Sequence, residues 1–236
     1  MNLENGIDKK FGDNLKKDVK LSSYSWFNLG GCAEYFYKAK DKNQLIDFLV
    51  EAKKINLESI IVGAGSNTLF RDNGVKGAVI KLGKDFSEIK LIGQDIIEVG
   101  AATLDRNIAN FAKKHNLGNL EFLSCIPGSL GGAIIMNSGC YDNDMSQVLV
   151  SVKAIDKIKL IETEIRKEDI KFFYRGTNLS ENLIIISAKL KGKIKKKEEK
   201  EKKQSEFIER KKSSQPSQIK TCGSTFKNIN KNKKAW

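Results

Sequence analysis

Residues 126–138 read IPGSLGGAIIMNS, and this stretch decides which fold the chain adopts. It contains three glycines, two serines and an asparagine around a short apolar run. Glycine lets backbone N–H groups turn toward a ligand without a Cβ in the way, and small polar side chains add hydrogen-bond donors. We call residues 126–138 the second glycine segment and expect it to cradle an anion.

A related stretch, GAGSN at residues 63–67, follows the β-like run 59–62. We call residues 63–67 the first glycine segment. No Gly-Lys-Ser/Thr follows at the spacing of a phosphate-binding loop, so nucleoside triphosphate hydrolysis is not expected. No good helix follows either, so the ordinary dinucleotide fingerprint fits poorly.

Two phosphate-sized cradles in one chain favour a dinucleotide ligand over a mononucleotide. We expect the two segments to converge on a single diphosphate bridge. The alternative for the first segment is a tight turn after a strand. For the second segment it is a structural glycine turn before a buried strand.

The length of 236 residues and the 40% content of hydrophobic residues allow one large domain or two small ones with a real core. No stretch of about twenty apolar residues exists, and the first twenty residues are polar where a secretion signal needs an apolar centre. We therefore expect a cytoplasmic protein with no membrane partner.

Cysteine and histidine are too sparse for a disulfide framework or a zinc site. The four cysteines have no paired metal-binding spacing, and His115 is the single histidine. Cys125 and Cys140 flank the second glycine segment, which leaves redox activity open. We favour the interpretation that these cysteines are small buried residues that fill space in the core.

The formal net charge of +13 is concentrated at the carboxyl-terminal end. Residues 189–212 hold twelve basic and five acidic residues and residues 213–236 add five lysines, which leaves +1 for residues 1–188. Aromatic residues are not interleaved with this basic run, as a nucleic-acid binder would require. We interpret the run as a solvated helix face and expect no nucleic-acid partner. Steering of an anionic substrate is the alternative.

Hydrophobic periodicity predicts an alternation of helices and strands. The helix at 41–55 has Asp41 as its N-cap, and a second helix covers 103–114. The remaining predicted elements are strands at 59–62, 77–82, 96–100 and 183–190, a hairpin of 148–155 with 157–165, a helical turn at 167–172, and an exposed helix at 195–210 before a breaker at 213–217.

Five motifs occur in a fixed order and together resemble one family. They are WFNLGG at 26–31, the two glycine segments, YRG at 174–176 and CGSTFKN at 222–228. In this order they resemble the UDP-N-acetylenolpyruvoylglucosamine reductase (UDP-N-acetylmuramate dehydrogenase) family, the flavoenzymes of peptidoglycan precursor synthesis. The resemblance runs from about residue 21 to the last residue.

The resemblance implies an α+β protein with the two-subdomain FAD-binding fold of the PCMH/vanillyl-alcohol-oxidase type, followed by an incomplete substrate-binding domain. The expected division is an N-terminal extension at 1–20, an FAD-binding region at 21–192 split near residue 83, and a linker helix with the start of a substrate domain at 193–236. FAD is expected to be non-covalent, because His115 lies on a helix away from both glycine segments. NADPH is the implied co-substrate.

The resemblance also implies roles for individual residues. Arg175 and Ser224 would be catalytic. The alternative for Arg175 is a surface salt bridge, and the alternative for Ser224 is a simple turn residue. The implied cofactor-binding residues are Gly63, Ala64, Gly65, Ser66, Asn67, Gly128, Ser129, Gly131, Gly132 and Asn137. The implied substrate-binding residues are Tyr174, Lys211, Gln215, Lys227 and Asn228, for some of which solvent exposure is an equal alternative.

The implied reaction has two stages. NADPH reduces the flavin and leaves, and the enolpyruvyl group of a UDP-sugar then takes the hydride. Arg175 would stabilise the negative charge that develops, and Ser224 would donate the proton.

Family members continue past the CGSTFKN motif into a domain with a catalytic glutamate that has no counterpart here. We therefore expect a chain that binds FAD and is impaired as a reductase. Two alternatives stay open: a non-catalytic FAD-binding remnant or split-gene fragment that needs a C-terminal partner, and another FAD-dependent oxidoreductase of the same fold.

Overall fold

The structure, a computed structural model, describes residues 4–194, 205–209 and 213. It has the α+β architecture that the sequence predicts. The helices are α1 Glu4–Phe11, α2 Lys42–Lys54, α3 Asp105–Lys114, α4 Leu130–Ile135 and α5 Met145–Val148. The strands are β1 Leu15–Lys20, β2 Cys32–Ala39, β3 Ser59–Val62, β4 Val75–Leu82, β5 Ile89–Leu91, β6 Ile96–Gly100, β7 Leu117–Gly118, β8 Gly139–Cys140, β9 Asn143–Asp144, β10 Leu149–Asp156, β11 Ile161–Arg166, β12 Phe172–Phe173, β13 Gly176–Thr177, β14 Leu183–Lys191 and β15 Lys193–Ile194.

The first large sheet has the strand order β1-β2-β4-β3. Strand β1 is antiparallel to β2, whereas β2, β4 and β3 run parallel to one another. Helix α2 packs its apolar side on this sheet, where the Phe48 ring stacks on the Tyr37 ring at 4.0 Å between centroids. Strand β3 pairs with β4 in parallel, and the first glycine segment directly follows β3.

The second large sheet has the order β11-β10-β14-β6-β5, and all of its neighbours are antiparallel. Helix α3 and the second glycine segment contribute to the largest apolar core, whose members include Ile108, Leu130 and Val152. Another core joins the two sheets, since Ile155 and Ile184 of the second sheet pack with Phe48 of α2.

Most of the predicted elements are confirmed with small shifts at their ends. The helix predicted at 41–55 is α2, and the one predicted at 103–114 is α3. The apolar run after the second glycine turn is helix α4, so the buried strand considered for it is wrong. The predicted helix at 195–210 lies outside the described residues except for 205–209, which are helical.

Residues 4–20 are integrated with the first sheet, unlike the extension expected at 1–20. Ile7 is 3% exposed, and the Phe11 ring packs edge-on against Tyr37 at 5.3 Å. Strand β1 pairs with β2 along the edge of the sheet. The apolar residues that anchor this region are separated by charged ones, so their pattern is weak in the sequence.

No helix in the described part of the chain is long and apolar enough to cross a membrane.

Helix α2 depends on its predicted N-cap. The Asp41 carboxylate accepts a hydrogen bond from the Gln44 N–H at 2.9 Å, which satisfies one of the unpaired donors of the first helical turn. We expect Asp41→Ala to lower the free energy of unfolding in urea by about 1 kcal/mol. Asp41→Asn keeps an acceptor and should stay close to the wild type. Equal losses in both variants would contradict a capping role.

Candidate functional site

The two glycine segments lie against each other, as the sequence predicts. A Cβ on Gly63 would come within 2.6 Å of Ser129 Oγ, and a Cβ on Gly128 would come within 3.6 Å of Ser66 Oγ. Because real Cβ atoms essentially never approach a heavy atom closer than 3.0 Å, a side chain at residue 63 would require the Ser129 hydroxyl to move. The end of β3 and the turn before α4 therefore form one site.

An antiparallel bridge holds the second glycine segment against the start of α3. The Asp105 N–H donates to the Gly128 carbonyl at 3.2 Å, and the Leu130 N–H donates to the Thr103 carbonyl at 3.0 Å. These two bonds fix the backbone between Gly128 and Leu130. The segment therefore faces the first glycine segment in a defined orientation.

Gly131 does not supply the backbone donor that we predicted. Its N–H donates to the Ala101 carbonyl at 2.9 Å, and a Cβ there would lie 3.3 Å from the Ala101 side chain. Gly131 is thus a close-packing residue beneath the site. Gly132 is exposed, and the space that its Cβ would occupy is open to 4 Å.

The first glycine segment is shaped by Gly65 and the WFNLGG motif. Gly65 has a φ of +72°, a conformation that favours glycine, and a Cβ there would collide with the Tyr24 carbonyl oxygen. The Trp26 N–H donates to the Gly65 carbonyl at 3.0 Å. The motif at 26–31 therefore supports the first segment from behind.

Lys81 of β4 holds the other end of the first glycine segment. Its Nζ donates to the Gly63 carbonyl at 2.7 Å and lies 6.0 Å from the centre of the Tyr24 ring. Burial lowers the pKa of Lys81, and the neighbouring Lys38 lowers it further. The ammonium group orients the Gly63 carbonyl and places positive charge next to the loop.

Several backbone donors are left for a ligand. Within the described residues, the N–H groups of Gly65, Ser66, Asn67, Gly128 and Ser129 donate to no protein acceptor. Ser66 is 9% exposed and Ser129 is 4% exposed, so their hydroxyl groups lie at the base of the site. Successive backbone N–H groups that are left without an internal acceptor are typical of anion-binding loops.

Asp105 is the one acidic residue at this junction in the described part of the chain. It is 0% exposed, and neither carboxylate oxygen has a hydrogen-bond partner among the described residues. A Cβ on Gly128 would lie 2.8 Å from Asp105 Oδ2. Burial raises the pKa of the Asp105 carboxyl well above its ordinary value.

The Asn137 side chain, which we predicted to be a cofactor donor, makes two hydrogen bonds within the protein. Its side-chain oxygen accepts from the Ser146 N–H at 3.0 Å, and its Nδ2 donates to the Phe173 carbonyl at 3.4 Å. The amide therefore ties the end of the second glycine segment to α5 and to the β12–β13 hairpin. Its contacts position other elements of the site.

The β12–β13 hairpin carries Arg175 and Tyr174 in its turn. Thr177 Oγ1 donates to the Ile135 carbonyl at 3.3 Å, so the hairpin packs on the end of α4. The Arg175 guanidinium carbon lies 5.6 Å from the centre of the Tyr174 ring, and Tyr174 is 57% exposed. The hairpin that carries Arg175 therefore packs on the second glycine segment at the end of α4.

The remaining predicted site residues fall outside the described residues. They are Ser224, Lys211, Gln215, Lys227 and Asn228.

His115 ends α3 on the protein surface. Its Nδ1 lies 2.9 Å from the Phe111 carbonyl oxygen, and its ring stacks on the Phe111 ring at 4.0 Å. The described cysteines, Cys32, Cys125 and Cys140, are free thiols. The histidine is thus engaged on its own helix.

Sequence reasoning missed Lys81 and Asp105. Lys81 is the single charged residue in the apolar strand pattern of 77–82, which was a usable signal. Asp105 looked like an ordinary acid in the first turn of a helix, where negative charge is favoured and usually solvated. Its burial depends on the second glycine segment, which packs over it from a distant part of the chain.

The chain is similar to proteins of known family. A family model described as "FAD binding domain" matches residues 33–158. UDP-N-acetylenolpyruvoylglucosamine reductase of Pelagibacter ubique (strain HTCC1062) is 41% identical over 97% of this chain and 77% of the relative. The enzyme of the same name from Orientia tsutsugamushi (strain Ikeda) is 40% identical over 96% of this chain and 75% of the relative.

Solved structures support the same grouping. The crystal structure of UDP-N-acetylenolpyruvylglucosamine reductase from Thermus caldophilus superposes with a TM-score of 0.81 at 29% identity, covering 94% of this chain and 77% of that one. An alkyldihydroxyacetonephosphate synthase shares the fold with a TM-score of 0.59 at 14% identity, covering 81% of this chain and 43% of that one. The matched FAD binding domain, the relatives and the shared fold agree, and the chain belongs to the UDP-N-acetylenolpyruvoylglucosamine reductase family.

Proposed function

We propose that the protein is an FAD-dependent oxidoreductase that uses NADPH to convert UDP-N-acetylglucosamine enolpyruvate to UDP-N-acetylmuramate, a step of peptidoglycan precursor synthesis. The observation that carries the proposal is the meeting of the two glycine segments in a chain of this family. We also propose that the enzyme works in the cytoplasm. The free thiols of the described cysteines suit a reducing compartment.

The residues at the junction fit the diphosphate of FAD. Five backbone N–H groups there have no acceptor among the described residues, and glycine stands where a Cβ would obstruct the cradle. The two glycine segments contain no acidic residue that would repel an anion. Gly65, Ser66 and Asn67 would bind from one side, and Gly128 and Ser129 from the other.

Bound FAD supplies the redox chemistry, since it carries hydride from NADPH to the enolpyruvyl group. The protein holds the participants and stabilises charge. Arg175 lies on a turn next to Tyr174. It would stabilise the negative charge that develops on the enolpyruvyl group during the reaction. Its anchoring through Thr177 and Asn137 supports such a fixed position.

The family resemblance assigns the other roles. Ser224 would donate the proton that completes the reduction, and Tyr174, Lys211, Gln215, Lys227 and Asn228 would bind the UDP-sugar. We further propose that residues 21–192 bind FAD, with a division near residue 83, and that residues 193–236 begin the substrate domain. Gly83 lies between the last strand of the first sheet and the first strand of the second, which supports this division.

The function is tested first on the purified chain. We expect yellow protein with flavin absorbance bands, and measurable NADPH oxidation that depends on added UDP-N-acetylglucosamine enolpyruvate. Turnover at an ordinary rate would show that the impairment expected from the sequence is wrong. The product would be UDP-N-acetylmuramate, identified by mass. A chain without flavin that does not take up added FAD would contradict the proposal. Rapid oxygen consumption without the UDP-sugar would assign it to another class of flavin oxidoreductase.

The charge of Arg175 is expected to matter in the transition state. Arg175→Met should lower kcat by about a hundredfold to a thousandfold, because a preorganised positive charge is lost. Flavin content and thermal stability should stay at wild-type values. Arg166→Met, at an exposed arginine in β11, serves as the matched control and should retain activity. A similar kcat for both variants would remove Arg175 from the proposed mechanism.

Gly65 is expected to be indispensable for FAD binding. Gly65→Ala forces a left-handed backbone on alanine and drives its Cβ into the Tyr24 carbonyl, at a cost of about 1–3 kcal/mol. We expect the variant to be purified with little flavin. Gly93→Ala is the matched control, because a Cβ there meets nothing within 4 Å. Full flavin content in Gly65→Ala would show that this loop does not hold the cofactor.

A further inference from the structure

Lys81 lies where the pairing of strands β3 and β4 stops. The last residue of β3, Val62, is the register partner of Lys81 in β4. The Gly63 carbonyl lies one residue beyond that pairing, and Lys81 Nζ donates to it at 2.7 Å. The salt bridges of the described residues do not include Lys81. A carbonyl of the first glycine segment is therefore the hydrogen-bond partner of this ammonium group.

The hydrogen bond from Lys81 fixes the orientation of the peptide group between Gly63 and Ala64. A trans peptide is planar, and its C=O and N–H point in opposite directions. Because the Gly63 carbonyl points at Lys81 Nζ, the Ala64 N–H points away from it. Among the described residues this N–H has no acceptor. Lys81 therefore holds an unused backbone donor in one orientation.

The same peptide group lies at the junction of the two glycine segments. A Cβ on Gly63 would come within 2.6 Å of Ser129 Oγ, so the second segment is its direct neighbour. Gly63 is exposed and Ala64 is half-buried. Both residues thus keep accessible surface that a bound ligand can cover.

We propose that Lys81 is a positioning residue for FAD, which fixes the Gly63–Ala64 peptide so that the Ala64 N–H donates to an oxygen of the diphosphate. The inference rests on the proposed function, because it needs a diphosphate between the two glycine segments. A donor that is already held in its bound orientation loses less conformational freedom on binding, which increases affinity. A cationic donor on the carbonyl also polarises the peptide and strengthens its N–H as a donor.

Two other lysines provide matched controls for Lys81. Lys157 makes the same kind of bond at the opposite end of β3, where its Nζ donates to the Ser59 carbonyl at 2.9 Å. Lys38 is the register partner of Lys81 in β2, and it is exposed. Lys157 therefore reproduces the type of bond away from the glycine segment, and Lys38 reproduces the nearby positive charge.

The first test measures the affinity of flavin-stripped protein for FAD by fluorescence titration. Lys81→Met keeps a similar length without a donor, and we expect it to weaken FAD binding by about tenfold. Lys38→Met and Lys157→Met should remain within about threefold of the wild type. Flavin-free Lys81→Met should melt close to the wild-type temperature, so that unfolding does not account for its lost affinity.

The second test is the salt dependence of the same affinities. Mobile ions screen the attraction between a charge and an anion, whereas they do not undo a fixed peptide orientation. The ratio of the FAD dissociation constants of Lys81→Met and the wild type should therefore change by less than about twofold between low and high salt. Convergence of the two affinities at high salt would assign Lys81 a purely electrostatic role and overturn the inference.

The third test follows the Ala64 amide by NMR in protein that carries a nitrogen isotope label at alanine. The resonance is identified by its loss in Ala64→Gly. Saturating FAD should move the Ala64 amide proton downfield in the wild type and in Lys157→Met, because the N–H gains an acceptor. The shift should be smaller in Lys81→Met. A role of Lys81 in stability alone would leave the shift at saturation unchanged, and equal shifts in the wild type and Lys81→Met would overturn the inference.

The outcomes separate this inference from the proposed function. If the wild type does not bind FAD at all, the proposed function fails. If the wild type binds FAD and Lys81→Met binds it equally well, the inference about Lys81 fails while the function stands. An equal loss of affinity in Lys81→Met and Lys157→Met would indicate a general loosening of β3 and would also overturn the inference.

Discussion

The close approach of the two glycine segments is the constraint on which the site depends. A side chain at Gly63 would press on Ser129, and one at Gly128 would press on Asp105. The backbone bridge before α3 fixes the second segment beside Asp105. The unpaired N–H groups of both segments lie at this junction.

The elements around this junction have complementary electrostatic roles. Backbone N–H groups supply partial positive charge without side-chain entropy, and Lys81 adds a full charge behind the first segment. Asn137 and Thr177 connect the second segment to the hairpin that carries Arg175. Hydrogen bonds from these side chains to the backbone therefore connect the cradle for the cofactor with the candidate catalytic arginine.

The sequence predicted the helices α2 and α3 and the strands β3, β4, β6, β10, β11 and β14, because these depend on local periodicity. It also predicted that the two glycine segments meet, because two anion-binding loops in one chain suggest a single dinucleotide ligand. It did not predict that residues 4–20 join the first sheet, since charged residues obscure that pattern. Gly131 and Asn137 were assigned to the ligand. In the structure the Gly131 N–H donates to the Ala101 carbonyl, and Asn137 Nδ2 makes one hydrogen bond to the Phe173 carbonyl. Both partners are remote in the sequence.

Local chemistry was determined by the sequence itself: glycine-rich turns after apolar runs, an arginine among aromatic residues, and motifs in the order of one enzyme family. The tertiary structure alone decided which polar groups are satisfied by the protein and which are left for a ligand. Burial and hydrogen-bond pairing depend on residues that are far apart in the chain. Asp105 illustrates the difference, because only the packing of residues 126–138 against α3 turns an ordinary helix-start aspartate into a buried carboxyl without a partner among the described residues.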